Sequence, residues 1–212
     1  MKVIELHESV TESNDKDAAE LRKSLSYEGI TLINIMSSPG SGKTTLLSRI
    51  IKDIGNKVKI GVIEADIDSS VDAEAIEKLG VKSVQAHTDG MCHMDAGMTR
   101  AAIEELGRDF DIIFLENVGN LICPAEFDTG AHINLMISSI TEGDDKPLKY
   151  PLMFKESDIL VVSKIDAMPA FNFDLDKFSE RVKGLNPDIK IFPVSAKTGE
   201  GMACLENSLL IR

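Results

Sequence analysis

The sequence predicts an α/β fold in which a mostly parallel central sheet is covered by helices on both faces. Three observations carry that reading. Runs rich in β-branched residues alternate with segments of helical period, the runs are apolar almost throughout, and a glycine-rich loop stands between the first run and the first helical segment. Strands buried on both faces read as continuous apolar runs, and intervening helices supply the crossovers that parallel strands need. Ligands of such sheets bind beyond the carboxyl ends of the strands.

In chain order, strands are expected at 30–36, 58–64, 81–86, 111–116, 133–140, 158–162 and 189–194, and helices at 43–54, 71–79, 95–106, 175–184 and 201–210. The charged stretch 1–28 forms a separate amino-terminal extension. Within it Asn14-Asp15 lead into Ala18, Leu21 and Leu25, whose spacing predicts a short amphipathic helix used for packing or for dimer formation. Residues 29–212 form one domain, interrupted by a polar loop over 141–147. A chain of this size buries a core without staples, since roughly 70% of the unfolded surface disappears at this scale.

Composition narrows the function. The chain has 35 acidic and 23 basic residues, a formal charge of −12, and 43% apolar content. Such a balance argues against nucleic acid and anionic membrane surfaces as partners, because that affinity comes from Lys and Arg displacing counterions from phosphates. Apolar runs fall short of the ~20 residues that a bilayer span needs, and no apolar signal segment follows Met1, so a cytoplasmic protein without membrane insertion is expected. Three cysteines, Cys92, Cys123 and Cys204, point to metal, redox or buried-thiol roles rather than to disulfides.

Ser37-Ser38-Pro39-Gly40-Ser41-Gly42-Lys43-Thr44 follows a predicted strand and opens a helix, the context a Walker A phosphate loop requires. The fold class is therefore a three-layer P-loop NTPase fold. Gly40, Ser41 and Gly42 would turn backbone N–H groups toward phosphate oxygens, Lys43 would reach the β- and γ-phosphates, and Thr44 would place its hydroxyl on Mg²⁺, with Thr45 beside it in the same cradle. Ser37 occupies the place of the pattern's first glycine, which requires its backbone to avoid the left-handed region.

Carboxylates for Mg²⁺ are expected at strand ends facing the loop, and two strands supply them, one ending in Glu64-Ala65-Asp66 and one in Glu116. Glu116-Asn117-Val118-Gly119 resembles the Asp-x-x-Gly switch of GTPases with glutamate for aspartate, so that the Gly119 N–H would sense a γ-phosphate. Lys43, Glu116 and Asp68 are the candidate catalytic residues. Asp68 and Asp72 read either as groups orienting the attacking water or as solvated loop acid and helix cap.

Ser163-Lys164-Ile165-Asp166 ends a strand where guanine-specific GTPases carry Asn-Lys-x-Asp. The Asp166 carboxylate would accept from guanine N1 and N2 together, which adenine cannot satisfy, and Lys164 would lie along the base. Ser163 loses the asparagine amide that ties base and phosphate loops together. Further along, Ser195-Ala196-Lys197 matches the loop whose backbone N–H meets guanine O6. Both stretches, in order after a phosphate loop, select GTP/GDP over adenine nucleotides.

Cys92-His93 lies in a glycine-flanked loop, and Cys123 follows Glu116 by seven residues. Two thiolates and an imidazole suit Ni²⁺ in a planar arrangement or Zn²⁺ in a tetrahedron lacking its fourth ligand, and the chemistry alone does not choose between them. The competing explanation for Cys123 is an inert buried thiol beside Pro124. Cys204, in an apolar helix, is expected in the core.

Together, Gly42-Lys43-Thr44, Cys92-His93, the stretch from Glu116 to Pro124, Thr141-Glu142-Gly143-Asp144-Asp145 and Lys164-Ile165-Asp166 resemble the GTPases that incorporate nickel into hydrogenases, over nearly the whole chain after residue 28. The resemblance implies a dimer-forming GTPase of the signal-recognition-like class that helps load nickel into [NiFe] hydrogenase precursors. It also implies a magnesium shell of Thr44, Asp66 and Glu116, and a switchable Ni²⁺ or Zn²⁺ site at Cys92, His93 and Cys123. The implied partners are a second copy of the chain brought in by GTP, a second nickel accessory protein and the hydrogenase large-subunit precursor. The resemblance does not extend to the amino-terminal cysteine motif and histidine-rich stretch of some members, since His7 is the only histidine before His87. A regulatory GTP switch with structural cysteines and a urease-type accessory GTPase are the alternatives. No arginine finger is evident, which predicts slow intrinsic hydrolysis.

Overall fold

The computed structural model of the chain describes residues 6–66, 76, 78–88 and 90–210, the side chains of residues 6–11 and 66 excepted. Seven strands form one sheet, β1 (Thr31–Ser37), β2 (Ile60–Asp66), β3 (Lys82–His87), β4 (Ile112–Glu116), β5 (Ile133–Ser139), β6 (Ile159–Ser163) and β7 (Lys190–Pro193). Their order is β3-β2-β4-β1-β5-β6-β7, and every pairing is parallel. All seven expected strands are present, each within two residues of its expected start.

The helices are α1 (Leu6–Tyr27), α2 (Lys43–Ile54), α3 (Ala96–Leu106), α4 (Lys146–Lys149), α5 (Pro151–Lys155), α6 (Leu175–Leu185) and α7 (Met202–Leu210). One face of the sheet carries α2 and α7, whose Leu47, Ile50, Leu205 and Leu209 pack on Ile33, Ile35 and Phe114. The opposite face is divided. Leu21 and Leu25 of α1 join Ile103 and Leu106 of α3 over Leu32 and Ile113, while Phe154 of α5 and Phe178 of α6 cover Met36, Met136 and Leu160. Alternate residues of β1 thus feed opposite layers, the period-two geometry of a strand covered on both sides. Among the described residues no helix is long and apolar enough to cross a membrane.

Three expectations are corrected. The amino-terminal helix is not short: it runs 22 residues from Leu6. Asn14 does not start it. Its side chain instead leaves the helix sideways, Nδ2 donating to the Asp128 carbonyl and Oδ1 accepting from the Ala96 N–H, which gives a helix-breaking residue a tertiary reason to sit mid-helix. The polar stretch 141–147 is not a plain loop, since a 3₁₀ turn at Ile140–Glu142 is followed by α4 and α5, each with proline in its first turn, where no N–H is needed. Cys204 is exposed, because α7 turns Met202, Leu205 and Leu209 inward. The helix expected over 71–79 lies largely outside the described residues, as do Asp68 and Asp72.

Candidate functional site

The phosphate loop leaves the carboxyl end of β1, flanked in the sheet by β4 and β5. Gly40 (φ 75) and Gly42 (φ 102) take left-handed backbone, and Gly42 caps α2. Ser37 fits without strain, since Lys164 is the only non-glycine with positive φ among the described residues. Its buried hydroxyl donates to the Ser38 carbonyl (2.8 Å) and receives Ser41 Oγ (2.6 Å) and Lys43 Nζ (3.2 Å). The serine that replaces glycine therefore gives the lysine an acceptor.

Thr44 Oγ1 donates to Glu116 Oε1 at 2.9 Å, which brings the loop hydroxyl and the strand-end carboxylate to one point. Glu64 of β2 stands in register beside Glu116, and both are buried, at 4% and 6% exposure. Two buried carboxylates next to a hydroxyl form an oxygen-only donor set of the kind Mg²⁺ takes, so these residues fit that ion. Asp66 pairs in register with His87, with its side chain outside the described set. Gly119 lies against the loop: a Cβ there would meet Pro39 N at 3.3 Å and Lys43 Nζ at 3.4 Å.

A cavity of about 270 Å³ opens beside the loop, walled by Ser41, Thr45, Lys164, Asp166, Ala196 and Lys197. Its walls are tied to one another. Ser163 Oγ donates to the Ser41 carbonyl (2.8 Å), Lys164 Nζ to the Gly40 carbonyl (2.7 Å), and Ser195 Oγ to Asp166 Oδ1 (2.7 Å). The first of these is the tie whose loss the serine at position 163 had suggested. A hydroxyl makes it in place of an amide.

Cys92, His93 and Cys123 offer ligand atoms all within 4.8 Å of one another, in the loop before α3 and at the start of a 3₁₀ turn at Cys123–Ala125. The His93 ring stacks on Phe127 at 3.9 Å between centroids, and its buried Nε2 has no hydrogen-bond partner among the described residues. Burial holds the imidazole neutral, against the pull of Asp95 and Glu126. The Cys123 thiol, with burial second, pushes Cys92 up, so a cation binding there has a proton to displace from Cys92. Neutral imidazole and closely spaced thiols form a soft donor set suited to nickel or zinc.

Sequence reasoning missed the residues that join these parts. Asn117 Oδ1 accepts from the N–H of Met94, and Asn120 Nδ2 donates to the Cys92 carbonyl (3.4 Å), so the segment after β4 is stitched to the loop bearing Cys92 and His93. Asn117 Nδ2 in turn reaches Asn34 of β1 (3.0 Å). Glu142 closes the far side of the phosphate loop, accepting from the Ser38 hydroxyl and from the Ser139 N–H (2.9 Å). The Ser-x-x-Glu spacing of Ser139 and Glu142 is a capping-box signal that was available in the sequence.

An all-parallel sheet with a glycine-rich loop after the central strand, an acidic strand end beside it and a cavity next to the loop defines a P-loop nucleotide-binding domain. The fold matches that of the 54 kDa signal recognition particle protein from Aeropyrum pernix in complex with GDP, at TM-score 0.57 and 14% identity over 78% of this chain and 41% of that one. The chain belongs to the CobW/HypB/UreG family, whose nucleotide-binding domain matches residues 31–193. It is 43% identical over 202 residues to the hydrogenase maturation factor HypB of Azotobacter chroococcum, covering 95% of this chain and 66% of that relative's length. It is also similar to the crystal structure of HypB from Helicobacter pylori in complex with nickel, with TM-score 0.87 and 38% identity over 93% of this chain and 94% of the other.

Proposed function

We propose that this chain is a GTP-hydrolysing metallochaperone that takes up nickel as cargo and assists its insertion into [NiFe] hydrogenase. It acts in the cytoplasm as a GTP-promoted homodimer, with a second nickel accessory protein and the hydrogenase large-subunit precursor as partners. Residues 1–28 serve as an extension to the GTPase domain of 29–212. The observation that carries this reading is that Gly119, packed against Pro39 and Lys43, and Cys123, grouped with Cys92 and His93, belong to one short segment, bonded by Asn117 and Asn120 to the loop that holds Cys92 and His93.

In this reading Gly40, Ser41, Gly42 and Thr45 cradle the phosphates, and Lys43 neutralises charge on the β- and γ-groups. Asp166, Lys164 and the Ser195–Lys197 loop select guanine. Thr44, Glu116 and Asp66 would hold Mg²⁺, and the ion would supply charge neutralisation for the transferring phosphoryl group. Water attacks the γ-phosphate in line, with loop N–H groups and Lys43 stabilising the equatorial oxygens, and no covalent intermediate forms. Asp68 is the sequence-based candidate for orienting that water. Cys92, His93 and Cys123 give three ligands per chain, so a two-fold axis would bring two incomplete sets together.

A titration of the purified protein with Ni²⁺ or Zn²⁺, with GTP or GDP bound, tests the reading through thiolate-to-metal absorption and mass in solution. Absorption that rises to saturation and depends on the nucleotide is expected. Its absence for both metals would reduce the protein to a GTP-binding switch with structural cysteines.

A further inference from the structure

Beside the 195–199 turn, and not among the residues that line the cavity, Arg49 is held in a way that neither phosphate binding nor metal binding uses. Arg49 projects from α2, the helix that begins at the phosphate loop. Its Nε pairs with Asp53 Oδ2 one turn along (2.5 Å), which fixes the guanidinium plane, and its Nη1 approaches the Ala196 carbonyl at 3.4 Å. The same group lies flat on Gly199: a Cβ there would stand 2.8 Å from Nη2 and 3.3 Å from Cζ. Gly199 also takes φ +88. A side chain at that position is strained by the backbone conformation and would push the guanidinium aside.

The loop under this guanidinium is a closed turn. Gly199 N donates to the Ser195 carbonyl (2.8 Å), Thr198 N to Ser195 Oγ (3.1 Å), and Ser195 N to the Glu200 carbonyl (2.9 Å). Ser195 Oγ then reaches Asp166. The turn is therefore closed on itself, and Arg49 adds a polar contact from α2 to the apolar packing of Ala196. Below Asp53 lies Glu206 of α7, 8% exposed. Burial and, second, the Asp53 carboxylate push its carboxyl up, while the charges of Arg49 and Lys57 oppose them.

We propose that Arg49 is a positioning residue for guanine recognition, bracing the 195–199 turn so that its backbone N–H groups meet the 6-oxo group of the base. The proposal rests on the guanine reading of the cavity given above. It assigns a separate origin to two parts of base affinity. Asp166 reads N1 and N2 through its own carboxylate, whereas the 6-oxo contact depends on where the turn is held, and Arg49 holds it. An N–H displaced by a few tenths of an ångström loses most of a directional hydrogen bond without disturbing the rest of the site.

The test compares GDP with 6-thio-GDP, which keeps N1–H and the 2-amino group but offers a weak sulfur acceptor in place of O6. Dissociation constants are measured by calorimetry on the full chain for wild type, Arg49→Ala and Arg49→Lys. Wild type is expected to prefer GDP. Arg49→Ala should weaken GDP by about tenfold while leaving 6-thio-GDP nearly unchanged, since only the bond to oxygen is lost, and Arg49→Lys should recover part of the preference. Equal weakening of both ligands, with the wild-type ratio kept, would show a merely structural contact and overturn the proposal. Asp53→Asn supplies a second variant if Arg49→Ala does not fold, with a smaller shift of the same ratio expected and an unchanged ratio overturning the proposal. A wild type that binds ADP as well as GDP would sink the guanine reading together with this one, whereas a GDP-selective wild type with an unaltered ratio in the variants sinks this one alone.

Discussion

A hydroxyl at position 163 ties the base loop to the phosphate loop through the Ser41 carbonyl, and a hydroxyl at position 195 holds one oxygen of Asp166. Asp166 thus arrives oriented before any base does, which makes its substitution informative. Asp166→Asn should weaken GTP by at least about a hundredfold, because two hydrogen bonds to a charged group are lost and guanine donors are left facing an amide N–H. The same variant should improve XTP, whose C2 carbonyl needs a donor, and nucleotide competition measures both. Unchanged GTP affinity would remove Asp166 from the site. Lys43 and Glu116 separate binding from turnover: Lys43→Ala should abolish tight triphosphate binding, and Glu116→Gln should keep some binding but hydrolyse poorly. Single-turnover phosphate release distinguishes them, and wild-type hydrolysis by Glu116→Gln would exclude that carboxylate. These residues were legible in the sequence because each belongs to a short motif whose chemistry dictates its spacing. Glu64 was read only as the end of a strand, since its place beside Glu116 depends on the β2–β4 register.

Among the elements, strands were readable, and the amino-terminal helix was readable in its apolar face but not in its length. Strands 30–36 and 111–116 announce themselves by unbroken apolar runs, but α1 is held by polar contacts spread over distant chain: Arg22 reaches Asp128 (2.6 Å) and Arg108 pairs with Glu28. Local pattern carries no trace of such partners. His132 belongs to this seam. Its Nδ1 accepts the Leu32 N–H (3.0 Å) and its Nε2 lies 2.9 Å from Ser26 Oγ of α1, so the neutral ring with the proton on Nε2 satisfies both. Burial first, and the nearby Arg22 charge, hold this histidine below its ordinary value of 6.5, while a backbone bond at Arg22 opposes them. Above that value both folded and unfolded states are neutral and the full stability is present. As pH falls below it, the unfolded chain takes up the proton first, and stability is lost progressively through the lower folded value. The melting temperature should therefore drop between about pH 7.5 and about pH 5.5. His132→Asn, which keeps an acceptor for Leu32, should show a shallower drop, whereas parallel curves would place the titration elsewhere.

At the scale of the whole molecule, two chemistries share one mechanical part. The phosphate loop and the cysteine pair are each recognisable in isolation, but their connection is not, since Asn117 and Asn120 act only through residues that folding brings beside them. On the proposed function, a γ-phosphate that drew the Gly119 N–H toward Lys43 would displace a segment whose other end carries Cys123. The exposed Ile122 (55%) and Met91 (42%) flank the same cysteines, so exposed apolar surface adjoins the candidate metal set. Linkage then demands reciprocity: whatever factor GTP applies to metal affinity, the metal applies to GTP affinity, and couplings of about 1–3 kcal/mol, roughly 5- to 150-fold, are usual. Nickel affinity measured with a non-hydrolysable GTP analogue should differ from that with GDP by a factor in this range, and the GTP analogue's affinity should change by the same factor when nickel is added. Cys123→Ser should keep nucleotide binding, lose thiolate-to-metal absorption and abolish the nucleotide dependence of whatever metal affinity is left. Equal nickel affinity of the wild type in both nucleotide states would refute the coupling while leaving the guanine nucleotide reading intact, because the proposed phosphate and base residues lie in the loop from β1 into α2, in the segment after β6 and in the 195–197 turn, apart from the cysteines.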